Sequence, residues 1–340
     1  MAELGNGLSI KAAAAWFPPD RQGPAGGELS AEAAERIGVA RLPVATDLAA
    51  PEMAVLAARD AFKDAGVAPG AVGFLVHASM YHQGIDIWSP AHYIAQESGA
   101  VGGLPVNVQQ TCNGGALALH LAALWLTATP DATTALVTAA DRFAGPGFDR
   151  WESDDEAVYG DSGAAAVLGR RGDGNGADLL DLLALELAAD PSFETQLRGD
   201  DGFGAAPLAH GAPISLVRPN TVFRASSQAA LLGKSGVEKL FGAVQRGLAG
   251  SGVKPDDIRV VAIPRLIRHM RENVFKPGIG LLLGRQPEYL EPDTGCLGPA
   301  EYLANLADMA VALAPGEVGM LIQGGGGFTF SCTIVRRSAH

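Results

Sequence analysis

The sequence predicts an α/β protein with a duplicated five-layer α/β/α/β/α fold, in which helices cover and separate two sheets. Three observations carry this prediction. Strand-like and helix-like apolar segments alternate along the chain. The segment DAGVAPGAVGFLVHAS at 64–79 aligns without gaps with GSGVKPDDIRVVAIPR at 250–265. A segment at 116–128 is apolar on every side, which is typical of a helix buried between layers.

The elements of the first half follow from apolar runs and the residues that end them. Pro51 suits the first turn of a helix and Gly66 its end. Short apolar runs indicate buried strands. These signals predict helices over 51–65, 90–99 and 114–128, and strands over 72–79, 105–110, 134–140 and 163–168.

The second half repeats the order of the first. The polar run RRGDGNGAD at 170–178 is a linker, which divides the chain into halves 1–170 and 171–340. In each half a cysteine precedes a long helix that a buried strand follows. In the second half these are Cys296, a helix over 299–314 and a strand over 317–323. Residues 190–220 lack periodicity and are expected to form a long surface excursion that contacts substrate.

Composition excludes several classes of protein. The net charge of −12, with no cluster of basic residues, argues against nucleic-acid partners and anionic membrane surfaces. The first twenty residues lack the pattern of a signal peptide, and no apolar run is long enough to span a bilayer. Cys112, Cys296 and Cys332 are too few and too scattered for a disulfide scaffold or a structural zinc site. We therefore expect a cytoplasmic protein with reduced thiols and no metal, and Cys332 in the core.

Cys112 is the strongest candidate for chemistry. It lies between a predicted strand and the first turn of a buried helix, followed by Gly114 and Gly115. A thiol at a helix N-terminus feels the partial positive charge of unpaired N–H groups, which lowers its pKa and favours the nucleophilic thiolate. The two glycines are expected to let a substrate approach the backbone closely. The alternative is a buried cysteine that acts only as a small apolar side chain.

Five segments carry a resemblance to a known family: RIGVAR (36–41), the helix and strand over 51–79, TCNGGALAL (111–119), YGDSGAAAVL (159–168) and QGGGGFTFSCTIV (323–335). In this order they resemble the thiolase superfamily, and more closely β-ketoacyl-acyl-carrier-protein synthase III. The resemblance covers nearly the whole chain. It implies a duplicated thiolase-like fold, a homodimer, and Cys112 as the residue that accepts the acyl group.

The sequence departs from that family at the other two catalytic positions. The family's His, in a Pro-His-Gln-Ala-Asn motif, falls on Arg265, and its Asn falls on Cys296 in Thr294-Gly295-Cys296-Leu297. Decarboxylative condensation needs preorganised donors at the thioester oxygen as an enolate forms, and a thiol is a weak donor. The sequence therefore resembles a divergent branch, the acyltransferases of actinomycete antibiotic pathways, some of which hold His in a Gly-His-Leu-Gly version of this segment.

The resemblance suggests roles for further residues, each with an alternative. Gly326, in the turn 324–327, would share an oxyanion hole with the Cys112 N–H, or the turn is a plain hairpin. His82, Trp151, Arg41 and His269 are candidates for substrate binding, as tunnel, pantetheine or cleft residues, or are surface and core residues. Arg265 would approach the cleft and orient a carboxylate or acyl oxygen, or it turns away into a salt bridge.

Three functions remain open at this point. The first is an acyltransferase that loads Cys112 from an acyl-carrier-protein or coenzyme A donor and passes the acyl group to a small-molecule hydroxyl or amine or to a carrier. This reading requires no cofactor beyond the coenzyme A or phosphopantetheine of the donor. The second is a carbon–carbon-forming or starter-unit-selecting synthase, and the third is a catalytically silent subunit. If the halves are related by a pseudo-twofold axis, Cys112 and Cys296 should lie within about 10 Å of each other, in reach of one substrate atom.

Overall fold

The computed structural model describes residues 7–25 and 27–339, so part of the N-terminal segment discussed for targeting, residues 1–6, lies outside the described residues. The strands are β1 Leu8–Trp16, β2 Arg21–Gln22, β3 Leu42–Pro43, β4 Val72–Ala78, β5 Leu104–Val108, β6 Thr134–Asp141, β7 Ser162–Arg170, β8 Leu180–Ala189, β9 Ile258–Ala262, β10 Glu288–Tyr289, β11 Val318–Gly325 and β12 Thr329–Arg337. The helices are α1 Ala31–Ile37, α2 Ala50–Ala65, α3 Pro90–Ser98, α4 Gly114–Ala128, α5 Thr195–Arg198, α6 Val217–Arg224, α7 Ala229–Ser251, α8 Arg268–Met270, α9 Lys276–Leu283 and α10 Ala300–Ala312.

Two five-stranded units with the same pairing pattern confirm the predicted duplication. The first runs in the order β1-β7-β6-β4-β5 and the second in the order β8-β12-β11-β9-β10. In each unit the first two pairings are antiparallel and the last two are parallel. Among the described residues, the only strand pairing between the two units is that of β1 with β8, through Ser9 with Asp181 and Ile10 with Leu180.

Three apolar cores account for the five layers. The central core contains α4 and α10 together with inward-facing residues of both five-stranded units. Helices α2 and α3 cover the outer face of the first unit, and α7 and α9 cover that of the second. Because α4 is apolar all round, its burial between the sheets follows from the sequence pattern.

Strands β1 and β8 and helix α7 were not predicted. The β1 sequence LSIKAAAAW is rich in alanine, which favours helices in isolation. It forms a strand because small side chains are needed here: Ala13, Ala14 and Ala15 pair with the alanines of β7. A Cβ on Gly163 of β7 would lie 2.3 Å from the Met53 backbone of α2. Close packing of the helix against the sheet therefore overrides local propensity.

The duplication brings the starts of α4 and α10 together at one end of the sheets. The proposed division at residue 170 falls at the end of β7. The predicted surface excursion, residues 190–220, contains the short helix α5 and then a loop that leads to α6. Among the described residues, no helix is both long enough and apolar enough to cross a membrane.

Candidate active site

The loop that carries Cys112 joins β5 to α4 and is held from both sides. Thr111 has a φ of 44°, a backbone conformation that only a well-supported loop keeps. Its hydroxyl donates to the carbonyl of Gly326 at 2.9 Å, and the Asn113 side chain accepts from Ser331 at 2.8 Å. A Cβ on Gly325 would lie 2.7 Å from Thr111 Oγ1. The glycine turn of the second half is thus packed directly against the loop of the nucleophile.

Cys296 comes from the corresponding loop of the second half. Its N–H donates to the Val158 carbonyl at 2.8 Å, and its carbonyl accepts from Gly160 at 2.9 Å. The Cys296 Sγ atom lies 3.8 Å from Cys112 Sγ. The predicted convergence of the two helix starts on one point is therefore confirmed, whereas a catalytic role for either thiol stays a prediction.

The two thiols differ in environment. Cys112 is half-buried, while Cys296 is only 2% exposed. The hydrogen bond with Cys112, and then burial, raise the pKa of the Cys296 thiol well above its ordinary value. Cys296 therefore remains a neutral thiol near neutral pH, able to donate a proton towards Cys112.

Gly114 and Gly115 serve a purpose different from the predicted one. A Cβ on Gly115 would lie 2.3 Å from the Pro299 carbonyl oxygen and 3.0 Å from the Tyr302 side chain. These glycines therefore allow α4 and the start of α10 to approach each other, and it is protein rather than substrate that fills the space beside them. This contact sets the separation of the two thiols.

Arg265 does not point at the Cys112 thiol. Its guanidinium donates to Asn305 at 2.9 Å, to Thr294 at 2.8 Å and to Asp308 at 2.7 Å. The expectation that Arg265 orients an acyl oxygen is corrected accordingly, because each of its three nitrogens already has a protein acceptor. The side chain instead supports the segment 294–308, which carries Cys296 and the first turns of α10.

The sequence analysis did not single out one buried acid in the second half. Glu301, in the first turn of α10, has no exposed surface. Its Oε1 accepts from the Arg265 N–H at 2.8 Å and from Gln323 Nε2 at 2.9 Å. Burial raises the pKa of the Glu301 carboxyl, and Arg265, Gln323 and the Cys296 thiol each pull it down. The signal in the sequence, an acid at the head of an otherwise apolar helix, is equally typical of ordinary helix termini.

Aromatic side chains and a methionine pack around the thiols of Cys112 and Cys296. Phe143, Phe148 and Tyr159 pack in one cluster with Cys296 and Cys112. The Met80 Sδ atom lies 3.8 Å from Cys112 Sγ, and the Asp141 carboxylate accepts from the Met80 N–H at 3.1 Å. Burial raises the pKa of Asp141 well above its usual range. These groups make the surroundings of the thiols largely apolar.

A cavity of 710 Å³ opens beside this cluster. Tyr81, which packs against Phe143, lines it together with His82, Arg142 and the excursion residues Leu208 and Ile214. The structure thus places His82, and part of the excursion, where a substrate could pass. Their roles in binding stay predictions.

The other candidates lie elsewhere. Trp151 packs in an apolar cluster with Leu42 and Val158, whereas Cys296 belongs to a different cluster. Arg41 is exposed and donates to the Arg21 carbonyl at 3.1 Å. His269 is exposed and bonds Asn273 at 3.1 Å. The structure brings none of these three into contact with the thiols. Gly326 lies next to Thr111, and Cys332 is fully buried, where burial raises its pKa to about 12.

The arrangement offers thiol chemistry in largely apolar surroundings. In the part of the chain that the structure describes, no three His, Cys, Asp or Glu side chains are grouped to hold a metal ion. A half-buried thiol at the head of a helix, beside a cavity, can accept an acyl group from a thioester. The neutral thiol of Cys296 lies 3.8 Å away and can exchange a proton with Cys112.

Comparisons with known proteins agree with this reading. A family model described as 3-oxoacyl-[acyl-carrier-protein (ACP)] synthase III matches residues 106–190. The solved structure of ChlB3, described as an acyltransferase, is 30% identical over 97% of this chain and 98% of that one, with a TM-score of 0.85. No curated protein matches the chain.

Two more distant structures share the fold. The 3-oxoacyl-(acyl carrier protein) synthase III of Pseudomonas aeruginosa PAO1 is 19% identical over 98% of both chains, with a TM-score of 0.74. The priming β-ketosynthase of the R1128 polyketide pathway is 17% identical over 98% of this chain and 97% of that one, with a TM-score of 0.76.

Proposed function

Because this chain belongs to the 3-oxoacyl-acyl-carrier-protein synthase III family, whose enzymes act on acyl groups, we propose that it is an acyltransferase of secondary metabolism. It forms an acyl-Cys112 thioester and passes the acyl group to a hydroxyl, an amine or a carrier acceptor. The observation that carries the proposal is the 3.8 Å contact of Cys112 with Cys296, at the place where condensing relatives hold Asn.

The geometry around the thiols favours transfer over condensation. Decarboxylative condensation develops negative charge on a thioester oxygen and depends on donors aimed at that oxygen. Cys296 is a weak donor, and the Arg265 guanidinium is bound to Asn305, Thr294 and Asp308. Acyl transfer needs only a nucleophile, an oxyanion site and a path for one proton. The Cys112 N–H and the adjoining Gly326 are the proposed oxyanion donors.

The donor is an acyl-carrier-protein or an acyl-coenzyme A, so the phosphopantetheine arm comes with the substrate and no further cofactor is required. We place the entry of that arm at the cavity lined by His82 and Tyr81. A reducing, cytoplasmic setting belongs to the proposal, because Cys112 must stay a free thiol to carry the acyl group.

We also propose a homodimer. Strand β5 lies at the edge of the sheet, where an unpaired strand invites pairing with another chain. Leu104 on this strand is 61% exposed, and the apolar side chain of Val101, three residues before it, is exposed as well. Pairing of two copies along β5 would cover Leu104 and Val101.

Intact-protein mass spectrometry tests the proposal. Wild-type protein incubated with a panel of acyl-coenzyme A and acyl-carrier-protein donors should gain one acyl mass. Release of carbon dioxide from malonyl thioesters, measured in the same reactions, should stay at the level of a Cys112→Ala control. Rapid carbon dioxide release would identify a condensing enzyme, and failure of every donor to load would identify a silent subunit.

A further inference from the structure

Two free thiols from opposite halves of the chain lie in contact at the candidate active site. The Sγ atoms of Cys112 and Cys296 are 3.8 Å apart, although 184 residues separate the two cysteines along the sequence. A disulfide bond holds its two sulfurs about 2.05 Å apart. The two thiols would therefore have to approach each other by about 1.8 Å, a distance that rotation about a Cα–Cβ bond covers.

The backbone on both sides of this contact is anchored. Next to Cys112, the Thr111 hydroxyl donates to the Gly326 carbonyl at 2.9 Å. The Cys296 N–H donates to the Val158 carbonyl at 2.8 Å. These bonds keep the two sulfurs adjacent without any covalent link between the loops. A bond between the sulfurs is therefore an intramolecular step whose partners are already in place.

The two thiols differ in their access to solvent. Cys112 is half-buried and keeps part of its surface exposed, so a small oxidant can reach it from outside. Cys296 is buried, and the raised pKa of its thiol keeps it protonated and poorly reactive by itself. Cysteines that respond to oxidants are typically accessible and lie next to a second cysteine that resolves the oxidised one.

We propose that Cys112 and Cys296 form a site of reversible oxidative modification, at which a peroxide joins the two sulfurs in a disulfide bond. Cys112 is the cysteine that the peroxide oxidises, and Cys296 is the resolving cysteine. The oxidant is hydrogen peroxide or a small organic hydroperoxide. Formation of the bond does not depend on acyl chemistry, whereas its effect on activity rests on the proposed acyl-Cys112 thioester.

The bond forms in two steps. In the first step the Cys112 sulfur attacks one oxygen of hydrogen peroxide and becomes a sulfenic acid. The O–O bond breaks, and the second oxygen leaves as water with the thiol proton. In the second step the Cys296 sulfur attacks the Cys112 sulfur, the S–O bond breaks, and the hydroxyl leaves as water with the Cys296 proton. The two sulfurs together lose two electrons and two protons, and one peroxide becomes two waters.

The disulfide bond and the acyl thioester use the same sulfur, so each excludes the other. A Cys112 sulfur bound to Cys296 cannot attack a thioester, and an acylated Cys112 cannot become a sulfenic acid. In a reducing setting disulfides are transient, and exchange with a dithiol returns both thiols. Peroxide would therefore stop acyl transfer reversibly.

Two other sulfur atoms need separate readouts. The Met80 Sδ atom lies 3.8 Å from Cys112 Sγ, but a thioether gains oxygen on oxidation and forms no disulfide. Cys332 is fully buried, in a different apolar cluster from Cys112 and Cys296. We therefore expect a disulfide only between Cys112 and Cys296, and oxidation of Met80 is recognised by an increase in mass.

Thiol counting and intact mass test the proposal on the full-length protein. Reduced protein is treated briefly with hydrogen peroxide, quenched with catalase, denatured and alkylated with iodoacetamide. The number of alkylated cysteines should fall from three to one. Without alkylation the mass should fall by two hydrogen atoms, and peptide mapping should find Cys112 joined to Cys296. Three alkylated cysteines, added oxygen on Cys112 beside a free Cys296, or a bond between two chains would overturn the proposal.

Cysteine variants identify the resolving thiol. Cys296→Ser keeps a side chain of similar size but lacks the sulfur that attacks the sulfenic acid. Dimedone, which traps sulfenic acids, should therefore label Cys112 in this variant and leave wild type unlabelled. Cys332→Ala is the matched control, because it removes a cysteine outside the pair and should still lose both remaining thiols to the disulfide. Equal dimedone labelling of wild type and Cys296→Ser would mean that Cys296 does not resolve Cys112.

Acyl loading after the same treatment connects the bond to the proposed function. Oxidised wild type should load no acyl group, dithiothreitol should restore loading, and protein loaded beforehand should form no disulfide. If peroxide forms the bond but no donor loads the reduced protein, the modification site stands and the proposed acyl chemistry is wrong. If donors load the reduced protein but peroxide forms no bond, the acyltransferase stands and the modification site is wrong.

Discussion

The N-terminal ends of α4 and α10 occupy corresponding places in the two halves. The cysteines that precede these helices differ in their distance from the helix start and in burial. Cys112 lies two residues before Gly114, the first residue of α4, and is half-buried. Cys296 lies four residues before Ala300, the first residue of α10, and is 2% exposed. One copy of the scaffold leaves its thiol half-buried, while the other buries its thiol almost completely. The duplicated fold thus brings two thiols to one point, and the two thiols differ in burial.

The preceding strands differ in the same direction. At the offset of the aligned segments, His77 of β4 corresponds to Ile263, just after β9. His77 is buried and bonds Thr138 at 3.0 Å and Gln83 at 3.2 Å, whereas Ile263 packs in an apolar cluster. The buried hydrogen bonds of the first half therefore involve His77, whereas those of the second half involve Arg265.

The largest effect on acyl loading should come from removing the Cys112 thiol, compared with removing the Cys296 thiol. Cys112→Ala should abolish acyl loading, since Cys296 and Cys332 are both buried. Cys296→Ala should still form the acyl-enzyme, at a reduced rate, because the nucleophile remains. Intact mass after incubation with acyl donors measures both. Loading of the Cys112→Ala variant at the wild-type rate would place the nucleophile elsewhere and break the comparison.

The next effect concerns the contact between the halves. Gly325→Ala would bring a Cβ to 2.7 Å from Thr111 Oγ1 and 2.9 Å from Asn113 N, so the Cys112 loop must move. We expect acyl loading to fall by about 100-fold, as for other small displacements of a nucleophile. Gly324→Ala is the control, since its nearest neighbour is the Phe330 ring at 3.3 Å. Similar losses in both variants would show that the turn, rather than its contact with Thr111, is being disturbed.

The Arg265 network should matter for stability. Arg265→Met should lower the free energy of unfolding by about 3 kcal/mol, because Asn305 and Thr294 lose a buried charged donor. Asp308→Asn should cost about 1 kcal/mol or less, because the Asp308 side chain is 47% exposed. Urea unfolding at pH 7 measures the difference. Equal stability of wild type and Arg265→Met would mean that the buried network contributes nothing net.

The smallest effect is a pH dependence specific to the first half. Burial lowers the pKa of His77 from 6.5 to about 4. Below pH 6.5 the unfolded chain takes up a proton at His77 that the folded chain refuses, so stability falls as pH falls towards 4. At pH 5 the loss is about 2 kcal/mol.

Urea unfolding of wild type and His77→Asn at pH 7.5 and pH 5 isolates this contribution. Buried carboxyls such as Asp141 act in the opposite direction in both proteins and cancel in the difference. The loss on acidification should shrink by about 2 kcal/mol in the variant. An identical pH dependence in both proteins would mean that His77 is protonated in the folded state.

Sequence patterns predicted the regular elements well where burial and propensity agree. Helix α4 begins and ends where the apolar run does, and α2 and α3 end at the glycines that stop them. Strand β1 was missed, because an alanine-rich strand is recognisable only from the close packing around it. Glu301 was missed for a similar reason, since an acid at a helix start is ordinary until its burial is known.

The sequence by itself determined the duplicated fold, the nucleophile candidate Cys112 and the absence of the family's His and Asn, because periodicity, repeats and motif residues are local or repeated in the chain. Only the tertiary structure decided what Arg265, Gly115 and Glu301 do. Arg265 is bound by groups 29 to 43 residues further along the chain, and Gly115 admits a helix from the other half. Such contacts depend on how distant segments meet, and spacing along one chain does not specify the direction in which a side chain points when they do.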